Sequence, residues 1–141
     1  EDWDEMTKEF IAKAAELGIP LDEIEKHQPI LIHAKLGVYY AQHEFGVTDP
    51  EILSSIRRHT TGAAHMSPLD MVIYLADLVE PNRDFPGVDT MRAEVEKGLE
   101  NGMRKAYIHT MSYLLSQGLL IHPDCLAGYN ELTLKQKENQ N

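Results

Sequence analysis

Three side chains in this sequence have the types and the spacing to form a metal site. His33, His59 and Asp77 are separated by 26 and 18 residues, and each lies in, or at the end of, its own predicted helix. A helical bundle can bring such side chains together around one centre. Imidazole and carboxylate ligands without thiolate suit iron, manganese, zinc or magnesium rather than a structural zinc finger. The sequence therefore predicts a metal centre assembled from separate helices.

Asp77 is the unusual member of this set, because it lies in the last turn of an otherwise apolar helix. A carboxylate there faces the negative end of the helix dipole, which costs about 0.3–1 kcal/mol. If it is also buried, it needs a cation or hydrogen-bond donors, and a metal ion would supply that charge. The alternative is an Asp77 that points outward or pairs with Arg83. The apolar residues cover most of the circumference of this helix, which predicts burial on more than one side.

The two histidines also have a simpler interpretation. His33 shares a predicted helix face with Gly37, and a glycine inside a helix costs about 1 kcal/mol against alanine, so it indicates close packing by another backbone. A lone histidine on such a face is more often a hydrogen-bonded core residue than a metal ligand. Both interpretations stay open at this stage.

A turn rich in hydrogen-bond donors follows His59. Arg57 and Arg58 precede it in the last turn of a helix, where cations complement the dipole, and this complementarity alone explains them. The sharper interpretation is that one arginine, together with the segment Thr60-Thr61-Gly62, contacts an anionic group such as phosphate.

Helical periodicity and helix-start signals account for the whole chain. In the first half of the chain we predict helices over residues 3–17 and 29–46, a short helix or turn at 20–27, and a helix that starts at the capping-box sequence from Thr48. In the second half we predict a helix from Ser67 to Pro81 and another that starts from a cap at Asp89 or Thr90, has a kink near Gly98 and continues to Gln117. The last predicted helix runs from His122 to residue 134. No strand-type alternation of useful length is present. The predicted fold class is all-α, with a polar, frayed tail over 135–141.

Composition limits the function classes. The 141 residues suit one domain, and the net charge of −10 argues against binding to nucleic acid or to an anionic membrane surface. No apolar run approaches the length of a membrane span. Cys125 is the only cysteine, which excludes an intrachain disulfide and favours a cytoplasmic protein.

Four motifs resemble those of one known family. They are LIHAKLG around His33, IRRHTTG around His59, YLADLVEPNRDFPGV from Tyr74 to Val88, and LIHPD…YN from Leu120 to Asn130. In order and spacing, they resemble the YqeK-type symmetrical dinucleoside tetraphosphatases, a branch of the HD-domain metal-dependent phosphohydrolases. The resemblance covers residues 1–134 and implies an HD-domain-like helical bundle.

This resemblance implies a function and a set of site residues. The family hydrolyses diadenosine tetraphosphate symmetrically to two ADP, using two metal ions, with iron expected and manganese or magnesium as alternatives. His33, His59 and Asp77 look like metal ligands in the catalytic centre. The positions similar to those that bind substrate are Arg58, Thr60, Thr61, Gly62, Arg83 and, at the border of the nucleoside pocket, Asn130. The implied partner is a dinucleoside polyphosphate, and a homodimer is one option for assembly.

One departure from the family pattern affects these expectations. The family carries a His-Asp dipeptide and a further upstream histidine, but no histidine here is followed by aspartate and none precedes His27. We therefore expect a domain that lacks its first helices, inactive alone, rather than a decayed enzyme. Two other hypotheses are a non-catalytic module of the same fold that binds a nucleotide or a protein, and a hydrolase of another phosphomonoester or cyclic nucleotide.

Overall fold

The computed structural model describes the backbone of residues 2–140 and the side chains of residues 5–140. Over this range the chain is helical, with no strand, which confirms the all-α prediction. The helices are α1 (Asp2–Glu16), α2 (Glu23–His27), α3 (Ile32–His43), α4 (Pro50–Arg58), α5 (Pro68–Val79), α6 (Val88–Lys97), α7 (Leu99–Ser116) and α8 (Pro123–Asn139), and a 3-10 turn (Pro29–Leu31) precedes α3. No helix in the described part of the chain is long and apolar enough to cross a bilayer.

The start of α5 is as the sequence predicts. The hydroxyl of Ser67 accepts a hydrogen bond from the backbone N–H of Asp70 (3.1 Å), and the Asp70 carboxylate accepts one from the N–H of Ser67 (3.0 Å). Pro68 occupies the first turn, where its missing N–H costs nothing. This reciprocal pair is a complete capping box.

Two other helix starts differ from the prediction. The cap of α4 is Asp49 rather than Thr48, because the Asp49 carboxylate accepts from the N–H of Glu51 at 2.9 Å. Helix α6 begins at Val88 rather than after Asp89 or Thr90, since Gly87 adopts a left-handed φ of 94° and turns the chain into the helix one residue earlier.

The last helix extends into the segment that the sequence predicts as a polar tail. Helix α8 passes residue 134 without a break and continues to Asn139. Lys135 contributes to this extension, because its Nζ lies 3.1 Å from Oε1 of Glu100 at the start of α7. Residue 141, the end of the predicted tail, lies outside the described range.

Two apolar clusters form the core. The larger one lies between α5, α6, α7 and α8, and the smaller one joins α1 to α3. The buried members of the larger cluster are Met71, Tyr74, Leu75, Met91, Met103, Ala106, Tyr107, Cys125 and Leu132; those of the smaller are Ala14, Ile32 and Leu36. Helices α3 and α4 pack against each other, and α4 packs against α5.

Helix α5 is buried on one side only, which contradicts the predicted burial on several sides. Met71, Tyr74 and Leu75 face the larger cluster, whereas Val72 and Ile73 are 44% and 40% exposed. The physical reason is that α4, α6 and α7 pack against the same side of α5. Among the described residues, no element covers the opposite side, which carries Val72, Ile73, Ala76 and Asp77.

Candidate metal centre

The structure brings His33 and His59 into direct contact. His33 lies in the first turn of α3 and His59 immediately follows α4. The two Nε2 atoms are 2.9 Å apart, and the ring centroids are 4.8 Å apart with an angle of 70° between the rings. Of the three side chains that the sequence predicts to converge, His33 and His59 therefore lie together.

The same backbone arrangement orients both rings. Nδ1 of His33 contacts the carbonyl oxygen of Ile30, and Nδ1 of His59 contacts that of Ile56. Because a carbonyl oxygen only accepts, each Nδ1 carries the proton and donates it. In the neutral rings both Nε2 atoms are then unprotonated and face each other. Two lone pairs cannot hydrogen-bond to each other, so a proton or a cation has to lie between them.

These two histidines fit a transition-metal ion. Metal-binding histidines almost always donate their other ring N–H to a carbonyl or carboxylate, which fixes the tautomer, and both rings here do so. When a metal ion is bound, the Nε2 atoms of His33 and His59 would hold it, and imidazole nitrogens suit several first-row transition metals.

Gly37 explains how the two helices come close enough. A Cβ atom added at Gly37 would lie only 3.0 Å from Cγ2 of Ile56 on α4. The glycine one turn after His33 therefore admits the α4 side chain one turn before His59. The close neighbour at Gly37 is thus a side chain of α4 rather than the backbone that the sequence indicated.

Asp77 does not join the histidine pair. Its side chain is 69% exposed, and its carboxylate lies 3.4 Å from Nη2 of Arg83. Nε of Arg83 also donates to the Asp77 carbonyl oxygen at 2.9 Å, so the arginine compensates the negative end of α5. The outward-facing alternative, paired with Arg83, is the arrangement observed. Among the described residues, no group of three potential ligands converges on one point.

Arg58 is also engaged within the protein. Its Nη1 donates to Oδ2 of Asp70 at 3.1 Å, and it lies 3.5 Å from the carbonyl oxygen of His65. Ser54 Oγ donates to the same carboxylate at 3.0 Å. Sequence reasoning gave Asp70 only a capping role and did not indicate its bonds to Ser54 and Arg58.

Two of the three residues in the turn 60–62 are explained by contacts within the protein. Gly62 has a φ of 69°, and an added Cβ would lie 2.5 Å from the ring of Tyr107. Thr61 is buried and its hydroxyl donates to the Gly62 carbonyl oxygen at 2.9 Å. Thr60 differs, because its buried hydroxyl has no hydrogen-bond partner within the described residues. Thr60 is therefore the member of the turn with free capacity to bind a ligand.

A largely apolar cavity of about 650 Å³ adjoins this turn. Thr60, Thr61, Ile30, Leu114, Leu120 and Cys125 are among its lining residues. Burial raises the pKa of the Cys125 thiol to about 11, so this cysteine is a poor nucleophile near neutral pH. Asn130 does not line this cavity and lies exposed on α8.

Tyr107 on α7 is buried and contacts the same turn. Its hydroxyl donates to the carbonyl oxygen of Ala63 and accepts from the Ala63 N–H, both at 3.3 Å. Gly128 on α8 also lies beside this hydroxyl, because a Cβ atom added at Gly128 would lie only 2.3 Å from the Tyr107 hydroxyl oxygen. Burial raises the pKa of Tyr107 above its usual range, so it stays a neutral anchor for the turn.

Comparison with known proteins identifies similar chains. The chain is 44% identical over 107 residues to the symmetrical bis(5'-nucleosyl)-tetraphosphatase of Halalkalibacterium halodurans, a match that covers 76% of this chain and 57% of the relative. It is 43% identical over 106 residues to the protein of the same name from Bacillus subtilis, covering 75% and 57%. The match therefore spans rather more than half the length of these curated relatives. No family model matches the chain.

One solved structure has a similar fold. It is a crystal structure described as a predicted HD superfamily hydrolase involved in NAD metabolism, from Clostridium acetobutylicum. It superposes with a TM-score of 0.85 at 28% sequence identity, covering 92% of this chain and 68% of that one. The predicted HD-domain-like bundle is confirmed.

Proposed function

This chain belongs to the family of the symmetrical bis(5'-nucleosyl)-tetraphosphatases, within the HD superfamily of hydrolases, and from that premise we propose that the protein hydrolyses diadenosine tetraphosphate to two ADP. The observation that carries this proposal is the pair of Nε2 atoms of His33 and His59 at 2.9 Å. An imidazole pair oriented in this way can hold a transition-metal ion of the kind that a metal-dependent phosphohydrolase uses.

His33 and His59 are the proposed ligands of a metal ion, and Asp77 is the proposed third ligand. When bound, two metal ions polarise phosphoryl oxygens and make a bound water nucleophilic near neutral pH. The chain's own contribution is to hold both rings in one tautomer through the carbonyl oxygens of Ile30 and Ile56. Iron is the proposed metal, with manganese and magnesium as alternatives that elemental analysis of purified protein distinguishes.

The substrate phosphates are proposed to bind beside the histidines. The hydroxyl of Thr60 is free of internal partners, and Arg83 is a half-exposed guanidinium that already holds Asp77. Spread negative charge on a polyphosphate requires fixed donors of this kind. Three of the other predicted substrate contacts already have partners within the protein, namely Thr61, Gly62 and Arg58. Asn130 is exposed, and we propose that it only borders the nucleoside pocket.

The test uses the protein at its full natural length. Fe²⁺ or Mn²⁺ is titrated into metal-free protein with diadenosine tetraphosphate, and the products are separated by chromatography. The proposal expects ADP as the only nucleotide product, with a rate that follows metal loading. ATP plus AMP would exclude symmetric cleavage, and hydrolysis that is unaffected by a chelator would exclude the metal.

A second candidate is a non-catalytic module that binds a nucleotide through the arginines. The ion pair between Asp77 and Arg83 favours it, because it occupies the carboxylate that the catalytic proposal assigns to the metal. Equilibrium dialysis against ADP separates the two candidates. A module would bind ADP equally with and without chelator, and it would not hydrolyse the tetraphosphate at any metal concentration.

Cellular location and assembly are further proposals. A cytoplasmic location fits a chain whose single cysteine, Cys125, is buried and unpaired. A homodimer is proposed as the assembly, and sedimentation of the protein at two concentrations tests it. A single species with the mass of one chain at both concentrations would overturn the dimer.

A further inference from the structure

Asp70 is a buried carboxylate with more partners than its position requires. Its side chain is 1% exposed, and burying a carboxylate is strongly unfavourable unless charge and hydrogen bonds compensate. Its carboxylate accepts from Ser54 Oγ, Arg58 Nη1 and the N–H of Ser67. Capping of α5 uses only the bond to Ser67, so the two bonds to α4 call for another explanation.

The partners of Asp70 lie on both sides of the turn that carries His59. Ser54 and Arg58 belong to α4, and Ser67 is the N-cap of α5. Arg58 also contacts the carbonyl oxygen of His65, the non-glycine residue with a positive φ of 59°. The Arg58–Asp70 ion pair therefore joins the two ends of the turn 59–66 to each other.

His59 depends directly on where α4 ends. It follows Arg58 in the chain, and its Nδ1 binds the carbonyl oxygen of Ile56 in the same last turn. A shift of this turn would change the direction of the His59 ring and break its contact with His33. The ion pair between Arg58 and Asp70 restrains the last turn of α4, because it ties that turn to the first turn of α5.

We propose that Asp70 is a positioning residue, which acts through Arg58 to hold His59 against His33. The proposal rests on the proposed function only in assigning the histidine pair to a metal. Arg58 then serves the site by fixing the helix end rather than by contacting phosphate. The partners that orient metal ligands typically change metal affinity by about 10–100-fold when removed.

The test compares Asp70→Asn and Arg58→Gln with Arg57→Gln. Arg57 is the matched control, because it lies in the same helical turn and makes no ion pair among the described residues. The first readout is the nuclear Overhauser effect between the rings of His33 and His59 in metal-free protein, which needs no metal and no activity. The second is the affinity for Ni²⁺ by calorimetry, with folding followed by far-UV circular dichroism.

We expect the ring-to-ring signal to disappear or weaken in Asp70→Asn and Arg58→Gln, and their Ni²⁺ affinity to fall about tenfold. Arg57→Gln should match the wild type in both. Wild-type signals in both test variants would overturn the proposal, and so would loss of the fold in both. A wild type that shows the ring-to-ring signal but binds no Ni²⁺ would instead contradict the proposed metal site, and the ring signals would still decide the role of Asp70.

Discussion

Nε2 of His33 lies 2.9 Å from Nε2 of His59, although 26 residues separate them in the chain. The contact follows from how α3 and α4 meet, with Ile56 of α4 packed at Gly37 of α3. Each ring donates its Nδ1 proton to a carbonyl oxygen three residues earlier, so in the neutral rings the two Nε2 lone pairs face each other. A proton or a cation between the two nitrogens would satisfy both lone pairs, and this geometry supports the proposed metal site.

His59→Ala should abolish turnover of diadenosine tetraphosphate in the full-length protein and leave its helicity nearly unchanged. The ring is only partly buried, so its loss opens no large cavity. Product release and far-UV circular dichroism are measured together. The control is His27→Ala, which removes an exposed histidine with the same type of Nδ1 contact to a backbone carbonyl. A large loss of helical signal in His59→Ala would make His59 a structural residue.

Asp77→Asn should change the free energy of unfolding by less than about 0.5 kcal/mol, because its pair with Arg83 is largely exposed. The same variant should lose turnover in the full-length protein if Asp77 binds metal. Urea unfolding and the ADP assay provide the two values. Full activity in Asp77→Asn would remove this residue from the proposed ligand set.

Gly62→Ala should be clearly more destabilising than Gly46→Ala. Both glycines have a left-handed φ, 69° at Gly62 and 65° at Gly46, so alanine at either position lowers the free energy of unfolding by about 1–2 kcal/mol. Only at Gly62 would the new Cβ meet a neighbour, the Tyr107 ring at 2.5 Å, whereas nothing lies within 4 Å at Gly46. The difference between the two unfolding free energies isolates the Tyr107 contact, and we expect about 1–3 kcal/mol. Equal losses would mean that the ring moves away freely.

The contact between Asp22 and His122 should make stability sensitive to acid. Burial acts to raise the pKa of Asp22, but the hydrogen bonds from the Glu25 N–H and from His122 outweigh it and lower the pKa from 3.8 to about 2. Since the folded value lies below the unfolded one, the stabilisation is present above about pH 4 and is lost as pH falls through about 2.

Urea midpoints of wild type and Asp22→Asn at pH 6 and pH 2 measure this effect. The advantage of the wild type should shrink at pH 2, and modestly, because the Asp22 side chain is 42% exposed. Glu23→Gln, which removes an exposed carboxylate of the same helix, is the control. A constant advantage across this range would show that the carboxylate of Asp22 contributes no pH-dependent stability.

Local sequence signals predicted most of the helices and several of the contacts around them. The all-α fold, the capping box at Ser67 and the close contact at Gly37 are each encoded within a few residues, so they were legible. The pairing of Asp77 with Arg83 was also foreseen as one of two alternatives, because the partners are six residues apart. The observed starts of α4 and α6 differ from the predicted ones, because more than one residue that could cap each helix lies within a few positions of the sequence.

Several other relationships between residues far apart in the chain were not predicted from the sequence. Nothing local indicates that Gly62 is required by Tyr107, whose hydroxyl binds Ala63 from 44 residues away. Asp70 had a sufficient local explanation as a capping residue, which concealed its bonds to Ser54 and Arg58. The exposed face of α5 at Val72 and Ile73 likewise depends on which helices pack against it.

The most direct test of the account is the affinity of this chain for Ni²⁺, an ion with strong preference for imidazole ligands. Calorimetric titration compares wild type with His33→Ala, His59→Ala and the control His27→Ala. The account predicts that removing either member of the pair weakens binding about tenfold or more, while His27→Ala binds as the wild type does. Unchanged affinity after removal of His33 or His59 would contradict it.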